Sequence, residues 1–162
     1  MSSTFHCHAL TPNAGVEITD VDLRQPADDA GKAELRNLLD RHQLLLFRNQ
    51  DITPEDQARF LVIFGHVCDE NADGVKHSYV SNVRPDGLLG NRALPFHSDF
   101  SFTPFQPQLL SLYGTDIQGE PEPTLYVNCT RAQERLPADI RLKLEGKTAI
   151  HVNDYTINGE VD

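Results

Sequence analysis

The triplet His97-Ser-Asp99 has the residue types and the spacing of a metal site. In a β-strand, residues i and i+2 project to the same face, with Cα atoms roughly 7 Å apart. An imidazole and a carboxylate placed in this way can bind one cation between them. Two histidines and one carboxylate on one face of an octahedron hold Fe(II) in non-haem oxygenases and leave positions open for other ligands. The triplet supplies the residue types for two of those three ligands.

The same triplet has a second interpretation. His97 and Asp99 can be polar residues of an ordinary strand that hydrogen-bond to each other, because such triplets also occur by chance. In both interpretations we expect Phe96, Phe100 and Phe102 to take the opposite face and to pack the strand into its sheet. Taken alone, the triplet leaves both interpretations open.

Short strands and helices alternate irregularly along the rest of the chain. Apolar patterns predict strands at residues 15–23 (with a turn or bulge inside), 43–47, 77–83, 96–102, 107–117, 124–127 and 148–152. Helical spacing and capping signals, such as Thr53 before Pro54, predict helices at residues 28–39, 53–64, 129–135 and 137–145. Turns are expected at residues 84–87 and 119–123. The sequence therefore predicts a mixed fold and not a doubly wound one.

Composition excludes several classes of protein. The 162 residues carry 14 basic and 24 acidic side chains, a net charge of −10, which argues against a nucleic-acid partner. The sequence contains no apolar run of membrane-spanning length, and its first residues have no features of a secretory signal. Three widely spaced cysteines form neither a disulfide scaffold nor a zinc ribbon. We expect a single cytoplasmic domain over residues 1–162. The sequence does not determine the oligomeric state, and a homo-oligomer is one possibility.

Several motifs, in their order along the chain, resemble the taurine dioxygenase (TauD/TfdA) family of Fe(II)- and 2-oxoglutarate-dependent dioxygenases. The matching stretches are residues 15–23 (GVEITDVDL), 39–50 (LDRHQLLLFRNQ), 53–65, 94–102 (LPFHSDFSF), 124–128 (TLYVN), 136–146 and 149–151 (AIH). The stretch 94–102 is similar to the metal-binding strand of the family, in which tryptophan usually stands at the position of Phe96. The resemblance thus spans nearly the whole chain.

The resemblance implies a fold, a cofactor set and a reaction. The fold would be a mixed, mainly β double-stranded β-helix (jelly roll) with flanking helices, here lacking its C-terminal part. Fe(II) would be held by His97 and Asp99, and Thr124 would hydrogen-bond the carboxylate of the co-substrate 2-oxoglutarate. The reaction would use molecular oxygen to hydroxylate a small organic substrate, releasing succinate and CO2. Pro123, directly before Thr124, departs from the glycine-rich pattern of the family.

Two parts of the family pattern are missing from this sequence. The family has a second metal-binding histidine far downstream, followed by an arginine that pairs with 2-oxoglutarate. His151 stands where the family has a different histidine, and no arginine follows Arg141. We therefore expect the N-terminal part of a dioxygenase of roughly twice this length. The alternatives are an inactive fragment with a binding or regulatory role and an unrelated cupin-type metal-binding protein; no residue identifies the primary substrate.

Overall fold

The structure is a computed structural model that describes residues 5–69, 74–91, 94–104, 106–117, 119 and 123–151. Within these residues the strands are β1 (His6–Ala9), β2 (Val16–Thr19), β3 (Leu45–Leu46), β4 (Tyr79–Ser81) and β5 (Gly87–Leu89). The helices are α1 (Asp29–His42), α2 (Pro54–Leu61), α3 (Cys129–Glu134) and α4 (Ala138–Leu144). This part of the chain thus combines small sheets with short helices.

A three-stranded sheet organises the N-terminal residues. Strand β1 runs antiparallel to β2, and β2 runs parallel to β3, with α1 as the connection between those two parallel strands. The turn expected within residues 15–23 is confirmed, because β2 ends where Asp20 adopts a left-handed φ of 59°. The predicted strand at 43–47 is confirmed only as the two-residue strand β3.

The hydrophobic core lies between this sheet and the two N-terminal helices. Its buried side chains are Val16, Ile18, Leu35 and Ile63. Partly buried residues pack around it, namely Phe5, Val21, Ala27, Leu38, Leu45, Phe47, Phe60 and Phe64. Val16 and Ile18 share one face of β2 because alternate residues of a strand point the same way. The sheet and both helices therefore form one packed unit.

Both N-terminal helices begin at the residues that the sequence predicts. The Asp28 carboxylate accepts the N–H of Gly31 and so caps α1, at 2.8 Å. Helix α2 starts with a capping box, in which Thr53 accepts the N–H of Asp56 and Asp56 accepts the N–H of Thr53. It ends at Leu61 and not at 64, because the following turns close through i to i+3 hydrogen bonds.

A two-stranded parallel sheet follows in residues 79–89. Strands β4 and β5 flank the predicted turn, which is confirmed by the hydrogen bond from the Gly87 N–H to the Arg84 carbonyl, 3.1 Å. The Arg84 guanidinium lies 3.8 Å from the centre of the Tyr79 ring and pairs with Asp86. These contacts hold the turn against the strand before it.

Four predicted strands do not form in the described residues. Residues 94–102, 107–117, 123–127 and 148–151 contain no strand where they are described, and 152 lies outside that part. The expected packing of Phe96 and Phe102 is also wrong, since 67% and 43% of these residues are exposed. Apolar alternation alone does not make a strand, which needs a neighbour for its hydrogen bonds, and no described segment pairs with these.

The C-terminal helices match the prediction more closely. Helix α3 is capped by Asn128, which accepts the N–H of Arg131, and α4 follows Pro137 as expected. The turn expected at 119–123 lies mostly outside the described residues. A jelly roll is not visible in the described residues, where the sheets are small. No helix in this part of the chain is long and apolar enough to span a membrane.

Candidate metal centre

His97 and Asp99 lie in direct contact, as the sequence predicts. The His97 Nε2 and Asp99 Oδ1 atoms are 3.0 Å apart, in a turn and not in a strand. Both side chains are partly accessible, with 43% and 38% of their surface exposed. The pair is therefore open to a ligand from solvent.

The other ring nitrogen of His97 fixes the state of the imidazole. Nδ1 lies 2.8 Å from the carbonyl oxygen of Pro95. A carbonyl can only accept, so Nδ1 carries a proton and donates it. Nε2 is then directed at the Asp99 carboxylate, and a cation, either a proton or a metal ion, is needed between these two electron-rich atoms. Metal-binding histidines in proteins commonly have this arrangement, with the second nitrogen donating to a backbone carbonyl.

The same contacts shift the proton equilibrium of His97. The hydrogen bond to the Pro95 carbonyl is the main cause that raises the pKa of His97 above its usual value, and the Asp99 carboxylate adds to it. Partial burial acts in the opposite direction without cancelling the effect. These contacts therefore favour the protonated, positively charged form of the His97 imidazole.

The donor set and its spacing fit a divalent transition-metal ion. With metal–ligand distances of about 2.1 Å, two adjacent corners of an octahedron are about 3.0 Å apart. The Nε2–Oδ1 distance of 3.0 Å has this value, which is also that of an ordinary N–H···O hydrogen bond, so it agrees with both interpretations of the pair. No third histidine, cysteine or carboxylate joins the pair within the described residues, so that part offers two candidate ligands.

A turn and a side-chain amide hold the backbone around the pair. The Thr103 N–H and hydroxyl both donate to the carbonyl of Phe100, at 3.0 Å each. The Gln106 Nε2 donates to the carbonyl of Asp99 at 3.3 Å. An open cleft of about 230 Å3 lies beside Asp99, lined by Ser98, Asp99 and residues 106–110.

The segment after the pair lies against the N-terminal unit. Residues 107, 109, 111 and 113 are partly covered, whereas residues 108, 110, 112 and 114 are exposed. The Ser111 hydroxyl accepts a hydrogen bond from Gln57 on α2 at 2.9 Å. The Tyr113 hydroxyl donates to the Gln50 carbonyl at 3.0 Å. The alternation predicted a strand here. The alternation in burial is observed, but no described segment pairs with these residues as a neighbouring strand.

Thr124 and His151 are not brought to the pair by any described contact. Thr124 is exposed, follows Pro123 in a stretch without regular secondary structure and forms no hydrogen bond with another described residue. His151 is exposed and forms no three-residue metal-binding group with His97 and Asp99. The structure thus unites two of the predicted site residues and leaves the role of Thr124 as a prediction.

Sequence patterns missed the residues that support the pair. Gln106 and the carbonyl of Pro95 act through a local turn, for which the sequence around the triplet carries no period or motif. Tyr113 was assigned only to a strand, and its hydroxyl contacts Gln50 and Ile52 in the segment between β3 and α2, more than 60 residues earlier in the sequence. The only sequence signal for Tyr113 was the apolar alternation of residues 107–117, which predicted a strand.

Comparison with known proteins gives a match over nearly the whole chain. The family model described as taurine catabolism dioxygenase TauD, TfdA family, matches residues 7–161. The chain is 28% identical over 155 residues to an alkylsulfatase of Acinetobacter baylyi, which covers 93% of this chain and 48% of that protein. It is 26% identical over 153 residues to an alpha-ketoglutarate-dependent sulfate ester dioxygenase of Pseudomonas putida, which covers 91% and 50%.

A third relative is named for a different substrate. The alpha-ketoglutarate-dependent 2,4-dichlorophenoxyacetate dioxygenase of Cupriavidus pinatubonensis is 28% identical over 170 residues, covering 92% of this chain and 58% of that protein. The chain therefore spans about half the length of the curated relatives it matches.

Proposed function

The chain belongs to the TauD/TfdA family of taurine catabolism dioxygenases, and on this premise we propose that the whole protein is an Fe(II)- and 2-oxoglutarate-dependent dioxygenase. It hydroxylates a small organic substrate with molecular oxygen and releases succinate and CO2. The observation that supports this proposal most is the His97–Asp99 pair, in which Nδ1 is engaged by Pro95 and Nε2 faces the carboxylate. The family match favours this function over an unrelated cupin-type protein or a regulatory fragment.

His97 and Asp99 are the residues of this chain that would hold the iron. His97 offers the lone pair of Nε2 once that nitrogen loses its proton, while the Pro95 carbonyl keeps the ring oriented. Asp99 supplies a negative charge that partly neutralises the cation. Bound Fe(II), with 2-oxoglutarate and oxygen, supplies the oxidising chemistry that protein side chains lack. A third ligand would come from outside the described group of residues.

Thr124 is the residue that we propose for 2-oxoglutarate. Its hydroxyl can donate a hydrogen bond to a carboxylate oxygen, and the family resemblance places it at the matching position. For this role residues 123–127 must approach the pair in the whole protein. We propose that the later strands of a jelly roll bring these residues to the pair. Residues 1–162 would then be one part of a single jelly-roll domain.

The substrate is proposed as a class. Two of the matched relatives are named for sulfate esters, and a third for an aryloxyacetate. Small organic anions are therefore the first compounds to test. The three exposed, unpaired cysteines suit a reducing compartment, so we place the protein in the cytoplasm. We propose no nucleic-acid or membrane partner, and the net charge of −10 agrees with the first of these.

Succinate production tests this function directly. The whole protein is supplied with Fe(II), 2-oxoglutarate and oxygen, together with an alkyl sulfate, 2,4-dichlorophenoxyacetate or taurine. We expect one of these compounds to stimulate succinate release, and expect His97→Ala to abolish that release. His8→Ala, which removes an exposed imidazole on β1, is the matched control and should retain it. Succinate release that is equal in wild type and His97→Ala would contradict the proposal.

A further inference from the structure

Hydrogen bonds hold the carbonyls of two consecutive peptide units, Asp99–Phe100 and Phe100–Ser101. The Gln106 side chain donates to the Asp99 carbonyl at 3.3 Å, and Thr103 donates twice to the Phe100 carbonyl. Phe100 has a φ of 51°, in the left-handed region that a bulky residue rarely adopts. Such a conformation persists only where surrounding contacts impose it. The direction of the Asp99 carbonyl and the left-handed φ of Phe100 are coupled because they belong to the same peptide unit.

Gln106 also connects this unit to the packed part of the protein. It begins the segment that is anchored by Ser111 on Gln57 and by Tyr113 on Gln50. The bonds from His97 to Pro95 and from Thr103 to Phe100 are internal to residues 94–104. Within the described residues, the Gln106 amide is the side-chain hydrogen bond that ties residues 94–104 to the following segment. A shift of that segment would therefore be transmitted to Asp99.

We propose that Gln106 is a positioning residue for the metal site. Its amide holds the Asp99 carbonyl, imposes the left-handed φ of Phe100, and so directs the Asp99 carboxylate toward His97 Nε2. This inference rests on the proposed function, since it takes the His97–Asp99 pair to be the metal-binding pair. Gln106 itself has no contact with the metal position; it acts through the backbone of Asp99.

Cobalt(II) titration of the full chain tests this role without turnover. Visible absorption reports both the affinity for Co(II) and the coordination geometry. We expect Gln106→Ala to weaken Co(II) binding about five-fold, the usual range for one lost neutral hydrogen bond, and to change the absorption bands. Gln133→Ala removes the same side chain at an exposed position of α3, where it forms no hydrogen bond with a described residue, and should match wild type.

A double variant separates positioning from general loosening. Glycine adopts a left-handed φ without strain, so Phe100→Gly keeps this conformation accessible and removes the strain that Gln106 is proposed to oppose. In that background Gln106→Ala should change Co(II) affinity less than two-fold. Loss of affinity of equal size in both backgrounds would overturn the proposed coupling through Phe100.

The remaining outcomes distinguish the two proposals. In one outcome, wild type binds Co(II), His97→Ala does not, and Gln106→Ala binds as wild type does. This result would overturn the role of Gln106 and leave the metal site intact. Binding that is insensitive to His97→Ala would overturn the metal pair itself, and the positioning role with it. Reduced affinity in Gln106→Ala alone, with unchanged thermal stability, would support positioning.

Discussion

The proton on His97 Nδ1 determines what the pair can bind. Because Pro95 can only accept, the nitrogen facing Asp99 is the one left for a cation. The spacing of His97 and Asp99 predicted that the two side chains lie side by side, and they do, although in a turn and not on the expected strand. The tautomer was not predictable, since the Pro95 carbonyl reaches Nδ1 only through the turn that replaces the expected strand.

Thr124 allows a test at the level of a single hydroxyl group. If it donates to the carboxylate of 2-oxoglutarate, Thr124→Ala should weaken 2-oxoglutarate binding by about 1.5–3 kcal/mol, the range for a hydrogen bond to a charged group. Binding is measured by calorimetry on the whole protein loaded with Mn(II). Thr130→Ala, at an exposed position in α3, is a matched control. Equal affinity for 2-oxoglutarate in wild type and Thr124→Ala would assign Thr124 to a structural role.

Among the elements, helix α2 shows how a local signal sets a boundary. The Asp56 carboxylate accepts a hydrogen bond from the Thr53 N–H and contacts Arg59. Both contacts lower the pKa of Asp56 below its ordinary value of 3.8, and the bond from Thr53 has the larger effect. A carboxyl group whose pKa is lowered in the folded state stabilises the fold when the pH lies above the ordinary pKa of that group. That stabilisation is lost as the pH falls through the lowered value.

Acid titration of stability tests this capping box. We expect the urea midpoint of wild type to fall below about pH 4, and expect Asp56→Asn to have a lower midpoint at pH 7 with a smaller fall in acid. Glu55→Gln removes an equal charge from the same turn without a capping bond and should change the midpoint at pH 7 less. Superimposable pH profiles for wild type and Asp56→Asn would refute the role of Asp56.

The elements also show where prediction from sequence succeeds and where it fails. Caps, turns and helices depend on residues within a few positions of one another, so Asp28, Thr53 and the turn at Arg84 were identified correctly. Strands depend on partners that are distant in sequence. The alternation at 96–102 therefore indicated a strand that the described residues do not form, and Phe100 instead adopts a left-handed turn.

At the scale of the whole molecule, the packed core and the His97–Asp99 pair belong to different parts of the chain. The buried core residues all lie at or before Ile63, whereas described residues from 74 onward are partly or fully exposed. The pair is linked to the core through the segment anchored by Tyr113 on Gln50. Stability and metal binding should therefore respond to different substitutions.

Two leucine substitutions test this separation. Leu35 is 1% exposed in the core and Leu125 is 67% exposed. Leu35→Ala should lower the free energy of unfolding of this chain by about 2–5 kcal/mol because it leaves a cavity. Leu125→Ala should change it by less than about 0.5 kcal/mol. Urea denaturation followed by circular dichroism measures both, and equal losses would place part of the stabilising core around residue 125.

The most direct measurement is the position of the metal ion itself. Crystals of the protein grown without oxygen and soaked with Fe(II) are measured at the iron absorption edge, where iron alone gives a strong change in anomalous scattering. We predict a peak about 2.1 Å from both His97 Nε2 and an Asp99 carboxylate oxygen, with Nδ1 still bonded to Pro95. A peak bound elsewhere, for example at the exposed His6–Asp20 pair, with none at His97, would contradict the assignment.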